Sequence, residues 1–245
     1  NLDSKLFSWT RKTFQRFGIK EYLSNSDLSI VEVTYRPFTK VHLNTSPNIN
    51  EVTGRVSEMF PPNSENLAIV FPAPGPNRIE RTPFMVNQII DIAGLGTDAS
   101  HYYPLWIYES SNEESNQGSF FKDNSSGKKY AITDEILNYC NDRLNSLITK
   151  EDLFFYVYGI LHHPQFLKTF GVDLIKSELK VPIIKEKDDF FIFSNAGRKL
   201  ADLHTNYEIV EPYSGLDIQF SSDCDKKDPE TYKVNKMVYS KNGKE

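Results

Sequence analysis

With 245 residues, 39% of them hydrophobic, and a net charge of −5, the chain is long enough to bury a core and too acidic to coat nucleic acid indiscriminately. Its two cysteines, Cys140 and Cys224, share no CxxC spacing, which argues against a disulfide framework or a zinc knuckle and fits a reducing cytoplasm. No stretch has the length and apolarity of a membrane span, and none has the plan of a signal peptide.

The first 23 residues place Leu2, Leu6, Phe7, Trp9, Phe14, Phe17 and Tyr22 at near-helical spacing among Lys and Arg. That pattern predicts an amphipathic helix broken near Gly18. Residues 28–35 alternate like a strand and run into Arg36 and Pro37. A short helix is predicted over 51–59 and a compact apolar strand over 67–71, followed by a Pro-rich turn at 72–76. Residues 84–92 are apolar and β-branched and predict a strand; Gly94 and Gly96 mark a turn, and 101–108 is an aromatic strand-like run. Residues 110–127, rich in Ser, Asn and Glu, predict an exposed loop or disordered insert.

Thr133 opens a helix to about Leu144. The strongest local signal comes next. Thr149 is a natural N-cap, and Asp152 three residues on completes a capping box. From Leu153 to Leu161 nearly every residue is large and apolar, which predicts a helix buried on all sides. Pro164 ends it and opens a short helix closed by Gly171. A further helix over 173–179 and an extended piece at 182–184 follow, and Ser194 is read as the N-cap of a helix to about His204. Beyond Glu211 the chain turns polar and β-like, with a charged loop at 223–230. Mixed strands, then a helical core, then the start of more strands predict an α+β fold and not a wound βαβ fold.

Catalytic signatures do not emerge. Gly94 and Gly96 lack the third glycine of a dinucleotide loop, and no GxxxxGK[ST] run is present. Pro61 and Pro62 precede an Asn, the reverse of the Asn/Asp-Pro-Pro-Tyr order that adenine methyltransferases use on a flipped base. His162 and His163 are adjacent at a helix end, where neighbours point apart, and no acid or Cys cluster completes a metal site. Residue types suited to DNA are easier to name, because Arg, Lys, Asn and Gln read base edges and cations hold phosphates. The candidates are Arg36, Lys40 and His42 after the first strand, Arg78 and Arg81 flanking the Pro-rich turn that would project them, and Lys122, Lys128 and Lys129 in the polar insert. Charge is uneven in the same sense. Residues 1–50 carry seven Lys or Arg against four acids, and residues 201–245 carry six against nine.

Three stretches together resemble the target-recognition region of type ISP restriction-modification enzymes. They are residues 31–43 (VEVTYRPFTKVHL), 101–108 (HYYPLWIY), and the central run 150–164 (KEDLFFYVYGILHHP) with its continuation 196–208 (AGRKLADLHTNYE). The resemblance covers residues 28 to 245, with the central run and 197–208 its most specific parts. It implies a bacterial phage-defence polypeptide that joins a nuclease, a helicase-like ATPase, an N6-adenine methyltransferase and a region reading an asymmetric sequence in double-stranded DNA. S-adenosylmethionine, ATP and Mg2+ are then cofactors of the parent polypeptide and not of this chain, which is not itself an enzyme. The implied partners are DNA and the methyltransferase and helicase-like domains, in the cytoplasm and away from membranes. Residues 1–27 would be a helical linker from the methyltransferase. Residues 28–245 would be the recognition domain, truncated near 232–239 (YKVNKMVY), where family members continue. The central helix and 197–208 would be scaffold, with 72–81 and 110–129 as reading or phosphate loops. A docking module inside a larger phage-defence protein is the alternative reading.

Overall fold

The computed structural model describes residues 30–45, 56–61, 63–74, 81–96, 99–108, 127–177 and 179–215, with 224, 225, 227, 228 and 231 as isolated positions. The predicted helix over 1–23, residues 51–55, the insert up to residue 126 and most of the chain beyond 215 lie outside the described residues. The chain divides into two units, Asn1–Glu208 and Ile209–Glu245, and the architecture that follows is that of the first.

A hairpin comes first. Strands β1 (Ile30–Arg36) and β2 (Thr39–Asn44) pair antiparallel, with Val33 opposite Val41 and Glu32 opposite His42. Phe38 in the turn takes the left-handed conformation (φ 58°), which is uncommon for a bulky side chain. Its ring is held edge-on by Phe84, His204 and Tyr207 at centroid distances of 5.1, 5.6 and 5.3 Å, so tertiary packing sustains the turn. After a one-turn helix, α1 (Val56–Met59), strand β3 (Ala68–Pro72) is buried throughout. It is the middle strand of a small antiparallel sheet, between β4 (Phe84–Val86) and β5 (Ser100–Pro104). Its side chains alternate as a strand requires. Ala68 and Val70 pack with Val33, Phe84, Val86 and Ile90 on the hairpin side, whereas Ile69 and Phe71 join the helical clusters.

The strand predicted over 84–92 is shorter than its apolar run. Beyond Val86 the chain bends, and Ile89 and Asp91 bond to the edge of β1 instead, through Thr34 N donating to Ile89 O (2.8 Å) and Asp91 N donating to Thr34 O (2.9 Å). The aromatic run 101–108 is also two strands. Leu105 separates β5 from β6 (Trp106–Tyr108), which pairs with β7 (Lys128–Tyr130). Buried Asn66 fixes that break. Its amide nitrogen donates to Met59 O and Trp106 O, and its oxygen accepts from Leu67 N and Trp106 N, so all four bonds of the side chain are made.

Helix α2 (Asp134–Leu144) starts on the N-cap Thr133 and ends at Asn145 in the left-handed conformation. Helix α3 (Lys150–Leu161) carries the predicted capping box: Thr149 Oγ1 accepts from Asp152 N at 3.0 Å, and Asp152 Oδ2 accepts from Thr149 N at 2.9 Å. Eight of its twelve residues are buried. Helix α4 (Pro164–Lys176) does begin at Pro164 but runs through Gly171, joining the two helices predicted there into one. Continuation buries Leu174 in the core, which outweighs the local stop signal of a glycine. Helix α5 (Lys187–Thr205) starts seven residues before Ser194. Ser194 is therefore no N-cap; it is buried in mid-helix, and its hydroxyl donates to Asp152 O at 2.9 Å. A 3-10 turn, Tyr207–Ile209, follows.

Helices α3 and α5 meet backbone to backbone. A Cβ on Gly159 would collide with Phe193 O, and one on Gly197 would collide with Phe155 O and lie 2.9 Å from Gly159 N. No side chain fits at either position, because the obstacles are main-chain atoms. Tyr156 secures the same interface from the side, stacking on Phe190 at 4.5 Å and donating to Pro182 O at 2.7 Å. Gly159→Ala and Gly197→Ala are each expected to cost at least about 2 kcal/mol through overpacking. Gly171→Ala, in open space, is expected to gain roughly 0.5–1 kcal/mol as an ordinary helix substitution. Urea denaturation of the three variants checks the contrast.

Candidate nucleic-acid interface

The candidate cations fall into separate environments. On the β1–β2 hairpin, Arg36 pairs with Asp91 at 3.1 Å and lies over the Tyr35 ring. Lys40 is clasped by Glu208 at 2.6 Å and Glu32 at 3.1 Å. The hydrogen bond it donates to Glu208, aided by Glu32, holds its ammonium above the usual lysine range. Both charges are thus matched locally. His42 is exposed on β2, opposite Glu32.

Arg81 does not project from the Pro-rich turn. It is 3% exposed, with its guanidinium 4.2 Å from the Phe71 ring centre. Its Nε donates to Pro72 O at 2.5 Å, and one terminal nitrogen donates to Leu174 O and to Ser177 O. The last two carbonyls belong to the C-terminal end of α4, where a helix leaves acceptors unpaired and favours positive charge. Arg81 is a cap that ties β3 to α4, a role invisible in sequence because its acceptors are backbone atoms far along the chain. Arg81→Ala is expected to cost about 2–4 kcal/mol of stability, read by thermal or urea unfolding, since it strips charged hydrogen bonds from buried acceptors. Arg78 and Lys122 lie outside the described residues.

Lys128 and Lys129 stand on β7, exposed. Lys128 Nζ sits 4.4 Å from the Trp106 ring centre, and Trp106 stacks on Tyr130 at 3.6 Å. Lys150 in turn lies 5.3 Å from the Tyr130 ring centre and pairs with Asp134. Burial and a hydrogen bond to Glu151 push the Tyr130 hydroxyl up to about 12, so it is a donor at neutral pH. Among the described residues, Lys128 has no carboxylate partner, in contrast to Arg36 and Lys40.

Lys128 also lines a cleft of about 710 Å3 between the β6–β7 hairpin and α5. One wall is Trp106 and Lys128, the floor includes Asn66 and Leu105, and Asn87 enters from the end of β4. The other wall is Arg198, Ala201, Asp202 and Thr205, at the spacing that places residues along one face of a helix. Arg198 is held by two contacts. Its NH2 donates to Asp152 Oδ1 at 2.8 Å, and its guanidinium lies 4.4 Å from the Phe155 ring centre. Burial opposes ionisation of Asp152, but the Thr149 backbone and hydroxyl and the Arg198 guanidinium outweigh it and keep the carboxyl below its usual range. Of these cleft residues only Lys128 is among the DNA contacts read from the sequence, which assigns residues 198–206 to the scaffold. The helical stripe from Arg198 to Thr205 was the available signal, though sequence alone does not say which stripe of α5 borders a cavity.

A second polar cluster lies under the first hairpin. Tyr158 and His204 Nδ1 share a 2.5 Å hydrogen bond, and the His162 ring packs edge-on against both. His163, its neighbour, is exposed and meets Phe193 instead. No group of three or more His, Cys, Asp or Glu among the described residues could hold a metal ion. Burial, with His204 adding, pushes His162 down to about 4 from 6.5, and burial lowers His204 as well. The fold holds His162 neutral while the unfolded chain takes up a proton near pH 6.5. The contribution of the neutral ring to stability is therefore fully present above that pH and is lost as pH falls towards about 4. His162→Gln is expected to flatten this acid limb, measured by urea unfolding at about pH 7.5 and about pH 5.

The model of the Type ISP C-terminal specificity domain matches residues 1–245, the whole chain. The chain belongs to this family. Among solved structures, it is similar to the ATP-dependent Type ISP restriction-modification enzyme LlaBIII bound to DNA, with 29% identity over 97% of the chain and a TM-score of 0.72. It is similar to a nuclease-deletion mutant of the Type ISP restriction-modification enzyme LlaGI in complex with a DNA substrate mimic, at 27% identity over 97% of the chain and a TM-score of 0.67. The DrdV–DNA complex, solved by electron cryomicroscopy, matches 91% of the chain at 25% identity with a TM-score of 0.68. The chain spans 14%, 16% and 20% of these three proteins' own lengths. Comparison with curated protein sequences gave no match. The α+β class expected from the order of the elements holds in the fold, and no helix among the described residues is long and apolar enough to cross a membrane.

Proposed function

We propose that this chain is the sequence-specific double-stranded DNA recognition module of a Type ISP restriction-modification polypeptide. The observation that carries the reading is the match of the specificity-domain family across all 245 residues. Similarity to regions of LlaBIII, LlaGI and DrdV, each solved with DNA or a DNA mimic, supports it. So does the physical plan: a rigid helical pair carrying a hairpin and loops from which a few polar and cationic side chains can meet a groove. In this reading the module directs adenine methylation and ATP-dependent cleavage carried out elsewhere in the parent polypeptide. S-adenosylmethionine, ATP and Mg2+ serve those other domains, and the module's partners are duplex DNA and the adjoining methyltransferase and helicase-like domains.

The charge pattern assigns the cations different weights. Arg36 and Lys40, neutralised by carboxylates, contribute less long-range attraction than their position suggests, and Arg81 is structural. Among the described candidates, Lys128, with Lys129 beside it, remains the best phosphate contact of the seven cations and one histidine read from the sequence. The test is an exchange. When the chain is replaced in its parent polypeptide by the corresponding region of a relative with a known target, the methylated motif, read by sequencing N6-methyladenine in host DNA, is expected to become the relative's. Retention of the original motif would show that recognition resides elsewhere.

A further inference from the structure

Resting on the recognition-module reading, we infer that the cleft between the β6–β7 hairpin and α5 reads base edges of duplex DNA, with Arg198 as its organised donor. The chemistry of the walls decides between base and phosphate. A phosphate site is built from cations and N–H or O–H donors alone. Here Lys128 and Arg198 share the cleft with Glu65 and Asp202, acceptors that repel phosphate but suit the amino groups of cytosine or adenine. Asn87 brings an amide, the group that pairs with adenine on two atoms. A mixed donor and acceptor set matches the pattern displayed by base pairs in the major groove and not that of a phosphate strand.

Arg198 has the features of a pre-set reader. One terminal nitrogen is engaged by Asp152, and one face of the guanidinium lies against Phe155, which leaves donors of a planar fork for the cleft. The side chain is 39% exposed, enough to be met by a ligand while held by its two partners. Such a fork fits the O6 and N7 acceptors of guanine on two atoms, a match that lysine, a point charge, does not reproduce. Ordering the guanidinium beforehand removes part of the side-chain entropy lost on binding. Lys128, on the opposite wall and without a carboxylate partner among the described residues, is placed to hold the phosphate next to the base that Arg198 reads.

The experiment selects preferred sequences from a random duplex library with the parent polypeptide, wild type and bearing Arg198→Lys, Arg198→Ala, Asn87→Ala or Lys128→Ala. Arg198→Lys is expected to relax preference at one G·C pair by about 10- to 100-fold while leaving affinity for scrambled duplex unchanged. Asn87→Ala, at an exposed position, is expected to relax a neighbouring pair without disturbing the Arg198 packing. Lys128→Ala is expected to weaken all sequences alike and to lower the slope of log affinity against log salt by about 1. The inference is overturned if Arg198→Lys and Asn87→Ala, both melting like wild type, select the wild-type sequence. It is equally overturned if Arg198→Ala behaves as Lys128→Ala does, since Arg198 would then be a phosphate contact. A wild-type polypeptide with no sequence preference would instead refute the recognition reading on which the inference stands.

Discussion

The contact between Gly159 and Gly197 is the constraint on which the rest of the arrangement depends. Two helices whose main chains touch have almost no freedom to slide or rotate, because any such movement drives carbonyl oxygens into neighbouring backbone. That rigidity propagates outward. Helix α3 presents Phe154, Phe155 and Tyr158 to the sheet, and α5 adds Ala201 to the same cluster, so the sheet is laid onto a surface of fixed shape. Close approach also brings Ser194 within hydrogen-bond reach of Asp152 O, adding a polar link between helices at a point where a larger residue would hold them apart.

Asp152 shows how one side chain can serve fold and site together. It closes the capping box with Thr149 and holds Arg198 through its other carboxylate oxygen. The helix start and the cleft wall are thereby coupled. An isolated capping residue contributes on the order of 1 kcal/mol, but one that also orients a guanidinium sets the geometry of a surface that would otherwise sample many rotamers. The cluster of Tyr158, His162 and His204 is a counterpart under the β1–β2 hairpin. There aromatic ring contacts hold α5 to the strands, with the His204 ring stacked on Phe84 at 4.9 Å and set edge-on to Phe38.

What could be read from the sequence was whatever depended on neighbours along the chain. The capping box at Thr149 and Asp152, the apolar run of α3, the first strand and the N-cap at Thr133 are local signals, and all of them appear in the fold. Where long-range packing competed with a local signal, packing won. Gly171 would stop an isolated helix, and Ser194 would start one, but burial of Leu174 and the hydrogen bond to Asp152 O reverse both readings. The residues 84–92 look strand-like because most are apolar, though after Val86 the buried ones, Ile89 and Ile90, sit in a bend that leans on β1. Arg81 reads as a surface charge in the sequence for the same reason. Its partners are carbonyls of Leu174 and Ser177, and no pattern of side chains announces a backbone acceptor. The cleft escaped because its walls come from segments with no shared motif.

Asn66 bears on how such a domain can change over evolutionary time. Its four hydrogen bonds pin Trp106 to the lead-in of β3 from one end of the β6–β7 hairpin, using residues that all precede the segment joining those strands. The anchorage of that wall is thus independent of what residues 109–126 contain. The four bonds that seat Trp106 therefore involve no residue of the connection. A lineage under pressure to diversify could revise this segment freely while inheriting the frame unchanged.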